Sequence, residues 1–151
     1  MLNRNTWCYI WRERSFAGEA LRVRIFMTRW FARFARREGI SDADLRDAVR
    51  RAERGLVDAD LGGGVVKQRI ARPRAGRRGG FRSIVIFRAG KRAIFVYAFA
   101  KSARATIRKD ELSGFRRLAA EMLGYDDAAL AKAVASDALE EVAWDEQSLS
   151  E

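Results

Sequence analysis

The chain has 151 residues and a mass of 17.1 kDa, which is enough for one compact domain and too little for two. Its 30 Lys and Arg residues outnumber its 20 Asp and Glu residues and give a net charge of +10, so we expect a polyanion as the large partner. The absence of histidine and the single cysteine, Cys8, exclude His-dependent catalytic schemes, zinc sites that use His, and an internal disulfide.

The first 22 residues follow neither a helical nor a strand period. Two interpretations of them stay open. They form a genuine N-terminal extension that packs on the domain, or they precede the true start of the protein near Val23. In the first case the packing residues are Trp7, Tyr9, Trp11 and Phe16.

Regular patterns begin at Val23. Residues 23–27 predict a short strand, and apolar residues at helical spacing then predict a helix that ends at Gly39. Ser41 followed by Asp44 resembles a capping box, and the apolar stripe after it predicts a second helix.

The middle of the chain predicts three antiparallel strands over residues 65–71, 81–88 and 93–100, with a basic loop over 72–80. In the first of these strands one face is predicted to carry Lys67 and Arg69 and the other Val66, Gln68 and Ile70. The second and third of these strands are almost continuously apolar, which is typical of central strands that are buried on both faces. We expect them to supply core residues, namely Ile84, Val85, Ile86, Phe95 and Val96.

Helical spacing returns at Lys109 and stops at Gly124, and a short last helix is predicted after it. The expected fold is therefore α+β, an antiparallel sheet of about four strands with helices packed on one face. We expect a domain over residues 23–123 and an acidic C-terminal helix and tail over 124–151. That tail has eight acids and one base, and either solubility or a contact with the basic body would explain it.

The most basic segment runs from Lys67 to Arg82 and contains seven bases and no acid. Arginine binds phosphate oxygens through two parallel N–H groups, and glycines in this segment allow a ligand to approach the backbone. A solvated basic loop is the simpler interpretation. Anion binding is favoured because three of the bases lie in predicted strands, where neighbouring like charges destabilise the fold. The seven bases are Lys67, Arg69, Arg72, Arg74, Arg77, Arg78 and Arg82.

Three short patterns give a family resemblance. They are Lys67-x-Arg69 on the second strand, Gly80-Phe81-Arg82 at the start of the third, and Phe99-Ala100-Lys101 at the end of the fourth. In this order and spacing, over about residues 23–123, the chain resembles the RelE/ParE superfamily of bacterial type II toxins, particularly the HigB-like messenger-RNA interferases.

The resemblance implies a RelE-like fold and a ribosome-dependent endoribonuclease that cuts messenger RNA through attack of a ribose 2′-hydroxyl on the adjacent phosphate. Its catalytic residues would be Lys67, Arg69, Arg82 and Lys101, with the arginines holding the phosphate and a lysine acting as acid or base. Several members have a Tyr or His shortly after the fourth strand, and residues 104–108 contain neither, so the acid and base stay open. The expected RNA-binding residues are Arg72, Arg74, Arg77, Arg78, Arg104 and Tyr97.

The resemblance also implies partners and a location. We expect three partners: the ribosome, messenger RNA, and a cognate antitoxin of helix-turn-helix type that is encoded next to the toxin. We expect no membrane, metal or cofactor. The expected location is the cytoplasm. Tyr97 either stacks on a base or belongs to the core. Two other functions stay open: a ParE-like inhibitor of DNA gyrase, and a non-catalytic RNA- or DNA-binding module.

Overall fold

A computed structural model of the protein describes residues 23–71, 80–104 and 106–144. Within those residues none of the helices is long and apolar enough to span a membrane. The described elements are, in chain order, β1 (Arg24–Thr28), α1 (Arg29–Glu38), α2 (Asp42–Glu53), β2 (Ala59–Gly62), β3 (Val65–Ile70), β4 (Phe81–Arg88), β5 (Arg92–Ala100), α3 (Lys109–Leu123), α4 (Asp127–Ala135) and β6 (Leu139–Val142).

The strands form one sheet in the order β2-β3-β4-β5-β1-β6. Strands β2 to β5 follow one another as antiparallel neighbours, whereas β1 lies parallel to β5 and antiparallel to β6. The α+β class is confirmed. The predicted sheet of about four antiparallel strands is a mixed sheet of six described strands. It is mixed because β1 lies parallel to β5, and it has two more strands because the unpredicted β2 and β6 lie at its edges.

Helices cover both faces of this sheet. Successive residues of a strand point to opposite faces, so Ile25 and Met27 pack with α1 and α2, and Phe26 packs with α3 and α4. The expectation that all helices pack on one face is wrong. β4 and β5 are apolar on both sides, and each side requires a cover of its own.

The predicted core is confirmed, since each of its five residues is at most 6% exposed. β4 and β5 divide these residues between the two layers. Val85 and Phe95 lie in the layer under α1 and α2, and Ile84, Ile86 and Val96 lie in the layer under α3 and α4.

The predicted helix ends on this side are also confirmed. Gly39 ends α1 in the left-handed conformation, with φ of 72°. At the start of α2 the Asp44 backbone N–H donates to Ser41 Oγ at 3.1 Å, and the Ser41 N–H donates to Asp44 Oδ2 at 2.9 Å, which is the reciprocal pair of a capping box.

The acidic C-terminal segment contributes an edge strand. Leu139 and Val142 of β6 are buried, while Glu140 and Glu141 lie at the surface. Glu141 accepts two hydrogen bonds from Arg24 of β1, each at 2.9 Å, and this contact raises the pKa of the Arg24 guanidinium. The segment over 124–144 therefore contains the expected helix and also a strand. The proposals about residues 1–22 lie outside the described residues.

Candidate active site

The predicted catalytic residues of β3 and β4 lie on one face of the sheet. Arg69 stands opposite Arg82, and Arg82 stands opposite Phe99 of β5, so the three residues form one row across three strands. A second row lies two residues along the strands on the same face. In it, Lys67 and Tyr97 both stand opposite Ile84 of β4. We call this surface the cationic face, and it consists of Lys67, Arg69, Arg82, Tyr97 and Phe99.

A buried glutamine fixes β3 in this orientation. Gln68 is 2% exposed, and its Nε2 donates to the backbone carbonyl oxygens of Ala48 at 2.9 Å and Leu56 at 3.0 Å. Because Gln68 points towards α2, its neighbours Lys67 and Arg69 point to the opposite face. The alternation that the sequence predicted for this strand is thus confirmed.

A glycine makes room for Arg69. A Cβ atom at Gly80 would lie 3.1 Å from Arg69 Nε, which is tighter than an ordinary contact. A larger residue at position 80 would therefore displace the Arg69 side chain. Arg51 of α2 also holds this strand, since its Nη2 donates to the Arg69 carbonyl oxygen at 2.7 Å.

Arg82 has a carboxylate partner that the sequence does not predict. Its Nε lies 2.7 Å from Asp58 Oδ2, and the two side chains are 17% and 33% exposed. The backbone N–H of Asp58 donates to the Lys67 carbonyl oxygen at 2.9 Å. Asp58 therefore offsets part of the repulsion between neighbouring cations that, in the sequence, favoured a bound anion. The sequence does contain this acid, immediately before β2, but its pairing with Arg82 depends on a strand that was not predicted.

Arg104 is held by a second carboxylate. Its Nη1 donates to Glu111 Oε2 at 3.1 Å and to the Tyr97 hydroxyl at 3.3 Å, and its Nε donates to the Thr106 carbonyl oxygen at 2.9 Å. The guanidinium lies 5.5 Å from the centre of the Phe99 ring. The hydrogen bond from Arg104, followed by the Arg108 N–H, lowers the pKa of Glu111 to about 2, and Glu111 in turn raises the pKa of Arg104.

Tyr97 belongs to an aromatic cluster at the edge of the cationic face. Its ring stacks on Trp30 with 4.7 Å between centroids, and it lies 6.2 Å from Phe99 and 5.8 Å from Phe115. Trp30 is 45% exposed. The half-buried Tyr97 ring thus packs against other aromatic rings while its hydroxyl accepts from Arg104. Tyr97 therefore has a feature of each interpretation given for it in the sequence: its ring is packed as a core residue's would be, and its hydroxyl lies at the cationic face.

Lys101 lies apart from the two rows. It follows the end of β5 in an exposed turn, in which the Ala103 N–H donates to the Ala100 carbonyl oxygen at 2.9 Å. The remaining predicted RNA-binding residues, Arg72, Arg74, Arg77 and Arg78, lie outside the described residues.

The described acids of the C-terminal segment do not pair with the cationic face. Glu141 binds Arg24, and Glu140 lies 3.2 Å from Arg36 of α1, so both contacts are on the β1 side of the sheet. Trp144 extends this attachment, since its Nε1 donates to the Val23 carbonyl oxygen at 2.8 Å. This part of the acidic segment therefore does contact the basic body, at a place remote from Lys67, Arg69 and Arg82.

The cationic face presents positive charge beside aromatic rings. Lys67 is partly buried, Arg82 is mostly buried and Arg69 is exposed. Charges in this arrangement can bind phosphate oxygens and stabilise added negative charge on phosphorus.

Comparison with known proteins assigns a family to this arrangement. The family model of the RelE toxin of the RelE/RelB toxin-antitoxin system matches residues 23–142. A search among curated proteins and a search among solved structures each found no match. The matched range contains all the helices and strands described above, including β2 and β6. The predicted RelE/ParE resemblance is confirmed: the chain belongs to the RelE toxin family.

Proposed function

We propose that the protein is a ribosome-dependent messenger-RNA endoribonuclease that inhibits translation, a toxin of the HigB-like type. The observation that carries this proposal is the placing of Lys67, Arg69 and Arg82 on one sheet face beside Tyr97 and Phe99. A phosphate at that face meets two guanidinium groups, and the aromatic rings next to it give a nucleotide base a surface for stacking.

The chemistry follows from what a phosphodiester needs. The ribose 2′-hydroxyl loses its proton and its oxygen bonds to phosphorus, while the bond from phosphorus to the 5′-oxygen breaks and that oxygen takes up a proton. The products are a 2′,3′-cyclic phosphate and a 5′-hydroxyl. Arg69 and Arg82 hold the phosphate and stabilise its extra charge in the transition state, and Lys67 or Lys101 transfers a proton. No metal or cofactor has a step in this scheme.

The RNA-binding roles are proposed in the same way. Arg104 lies over Phe99 and bonds to Tyr97, so it supports the aromatic side of the cationic face. Phosphates on either side of the cut would be held by the basic loop, through Arg72, Arg74, Arg77 and Arg78.

Membership of the family implies a cognate antitoxin, because the family is one half of a toxin-antitoxin pair. We expect it to be a helix-turn-helix protein encoded next to the toxin. The ribosome and its messenger RNA are the proposed targets, which places the action in the cytoplasm. A first check is growth: expression of the protein alone should arrest growth, and co-expression of the adjacent gene should restore it.

The decisive experiment is cleavage of a translated messenger RNA in a cell-free system, mapped by primer extension, with ribosome co-sedimentation measured in parallel. Arg82→Ala should slow cleavage by about 10² to 10³, because a donor to the transition-state phosphate is lost. Co-sedimentation should change much less, since many other bases remain to contact ribosomal RNA. Arg117→Ala removes the same charge from an exposed position on α3 and should cleave at close to the wild-type rate.

The other functions are outcomes of the same experiment. A wild-type protein that leaves RNA intact but inhibits gyrase would replace the proposal with the ParE-like one. A non-catalytic binder would instead lose affinity for RNA or DNA by similar steps with each base removed. Its wild type would cleave no RNA.

A further inference from the structure

The contact between Asp58 and Arg82 has a geometry that the proposed cleavage can use. Asp58 reaches Arg82 at Nε, at 2.7 Å. A guanidinium has five N–H donors in one plane, one on Nε and two on each Nη. Among the described residues no side chain pairs with the Nη groups of Arg82. The carboxylate therefore holds one edge of the guanidinium and leaves its outer donors for a ligand.

Asp58 is itself held firmly to the strand that carries the other site residues. Its backbone N–H donates to the Lys67 carbonyl oxygen at 2.9 Å, and the next residue, Ala59, is the β2 partner of Lys67. Its side chain is two-thirds covered and that of Arg82 is more than four-fifths covered. A partly desolvated pair of this kind has a better-defined geometry than an exposed ion pair.

We propose that Asp58 is a positioning residue that orients the Arg82 guanidinium towards the scissile phosphate. The inference rests on the proposed nuclease function and adds to it a residue that the sequence motifs did not contain. Arginine has several rotatable bonds, and a free Arg82 would sample many orientations before it met a phosphate. Fixing its plane beforehand removes that search from the reaction.

A purely electrostatic role for Asp58 predicts the opposite result. A negative charge beside an anion site weakens phosphate binding, so its removal should strengthen RNA binding and speed cleavage if charge alone counted. Positioning predicts that the same change slows cleavage although the site becomes more positive. The sign of the effect therefore separates the two roles.

The matched control is Asp60. It lies in β2 two residues after Asp58, and its Oδ1 accepts from the Gly62 N–H at 2.9 Å. Asp60→Asn removes the same charge and keeps an oxygen for Gly62, without touching Arg82. Both variants should be compared with the wild type by circular dichroism and thermal unfolding, so that a loss of folding is recognised.

The experiment measures single-turnover cleavage of translated messenger RNA at saturating ribosomes. Asp58→Asn should cleave about 10 to 100 times more slowly than wild type with little change in ribosome co-sedimentation, as expected for a misplaced catalytic group. Asp60→Asn should cleave at a rate within about twofold of wild type, because Asp60 does not contact Arg82 and its charge is screened by salt. Asp58→Glu, which keeps the carboxylate, should recover part of the rate. In an Arg82→Ala background, Asp58→Asn should have no further effect.

A second readout does not depend on cleavage. In nitrogen-15 NMR relaxation of the wild type the Arg82 Nε–H bond should be nearly as ordered as the backbone, and in Asp58→Asn it should be as mobile as that of an exposed arginine. The inference is overturned if a folded Asp58→Asn cleaves as fast as wild type or faster, or if its effect persists in full without Arg82. If the wild type cleaves nothing, the proposed function itself falls, and a positioning role in cleavage falls with it.

Discussion

Gln68 should be among the most costly polar side chains to remove. Replacing it with Leu keeps a similar volume but takes the donor away from two carbonyl oxygens, those of Ala48 and Leu56. The same change removes Oε1, which accepts from the Arg69 backbone N–H at 3.2 Å, so three hydrogen bonds are lost in all. Each such bond contributes about 0.5 to 1.5 kcal/mol. We expect Gln68→Leu to lower the free energy of unfolding by about 2 to 4 kcal/mol.

The assay is urea unfolding followed by circular dichroism, with the free energy taken by linear extrapolation. Ser83→Ala is the matched comparison, because Ser83 is fully buried and its side chain makes one hydrogen bond to the described residues, from Oγ to the Gln68 carbonyl oxygen at 2.8 Å. Ser83→Ala should lower the free energy of unfolding by about 0.5 to 1.5 kcal/mol. If Gln68→Leu costs no more than Ser83→Ala, the side chain of Gln68 does not hold β3 and our account of how this strand is fixed is wrong.

Two further predictions concern the core and the acid response. Phe95→Ala and Ile86→Ala should each lower the free energy of unfolding by about 2 to 5 kcal/mol, because both side chains are fully buried. Urea unfolding of each variant checks this, and losses below about 0.5 kcal/mol at both would contradict the assigned core. Glu111 has a pKa lowered from 4.5 to about 2, so its stabilising contribution is present above 4.5 and is lost as the pH falls towards 2. Glu111→Gln lacks this contribution, and its melting temperature should fall less steeply over that range; parallel curves would refute the role of Glu111.

The central strands could be predicted from the sequence because their residue pattern is set by burial. In β3 the sequence predicts Val66, Gln68 and Ile70 on one face and Lys67 and Arg69 on the other, and the structure has this arrangement. A strand with two distinct faces leaves a period of two in its sequence, and a one-residue slip would expose the core. The position of the cationic face on β3 and β4 followed from that period.

The edge strands and the arrangement of the helices could not be found in this way. β2 and β6 have four residues each, and glycine or acidic residues within them are poor strand formers, so their pairing with β3 and β1 overrides local propensity. A helix shows which of its own sides is apolar but carries no sign of which face of the sheet it covers. The placing of α3 and α4 opposite α1 and α2 is a tertiary property.

Charge counting has the same limit. The segment from Lys67 to Arg82 contains no acid, and its charge alone suggests a cluster held together by a missing anion. In the folded chain Arg82 takes its counter-ion from Asp58 and Arg104 takes its counter-ion from Glu111, both on separate elements or loops. The bases that remain without a carboxylate among the described residues of the cationic face are Lys67 and Arg69. Net charge therefore predicts only that the partner is a polyanion, whereas the pairing of each base in the fold identifies which cations have a carboxylate beside them and which do not.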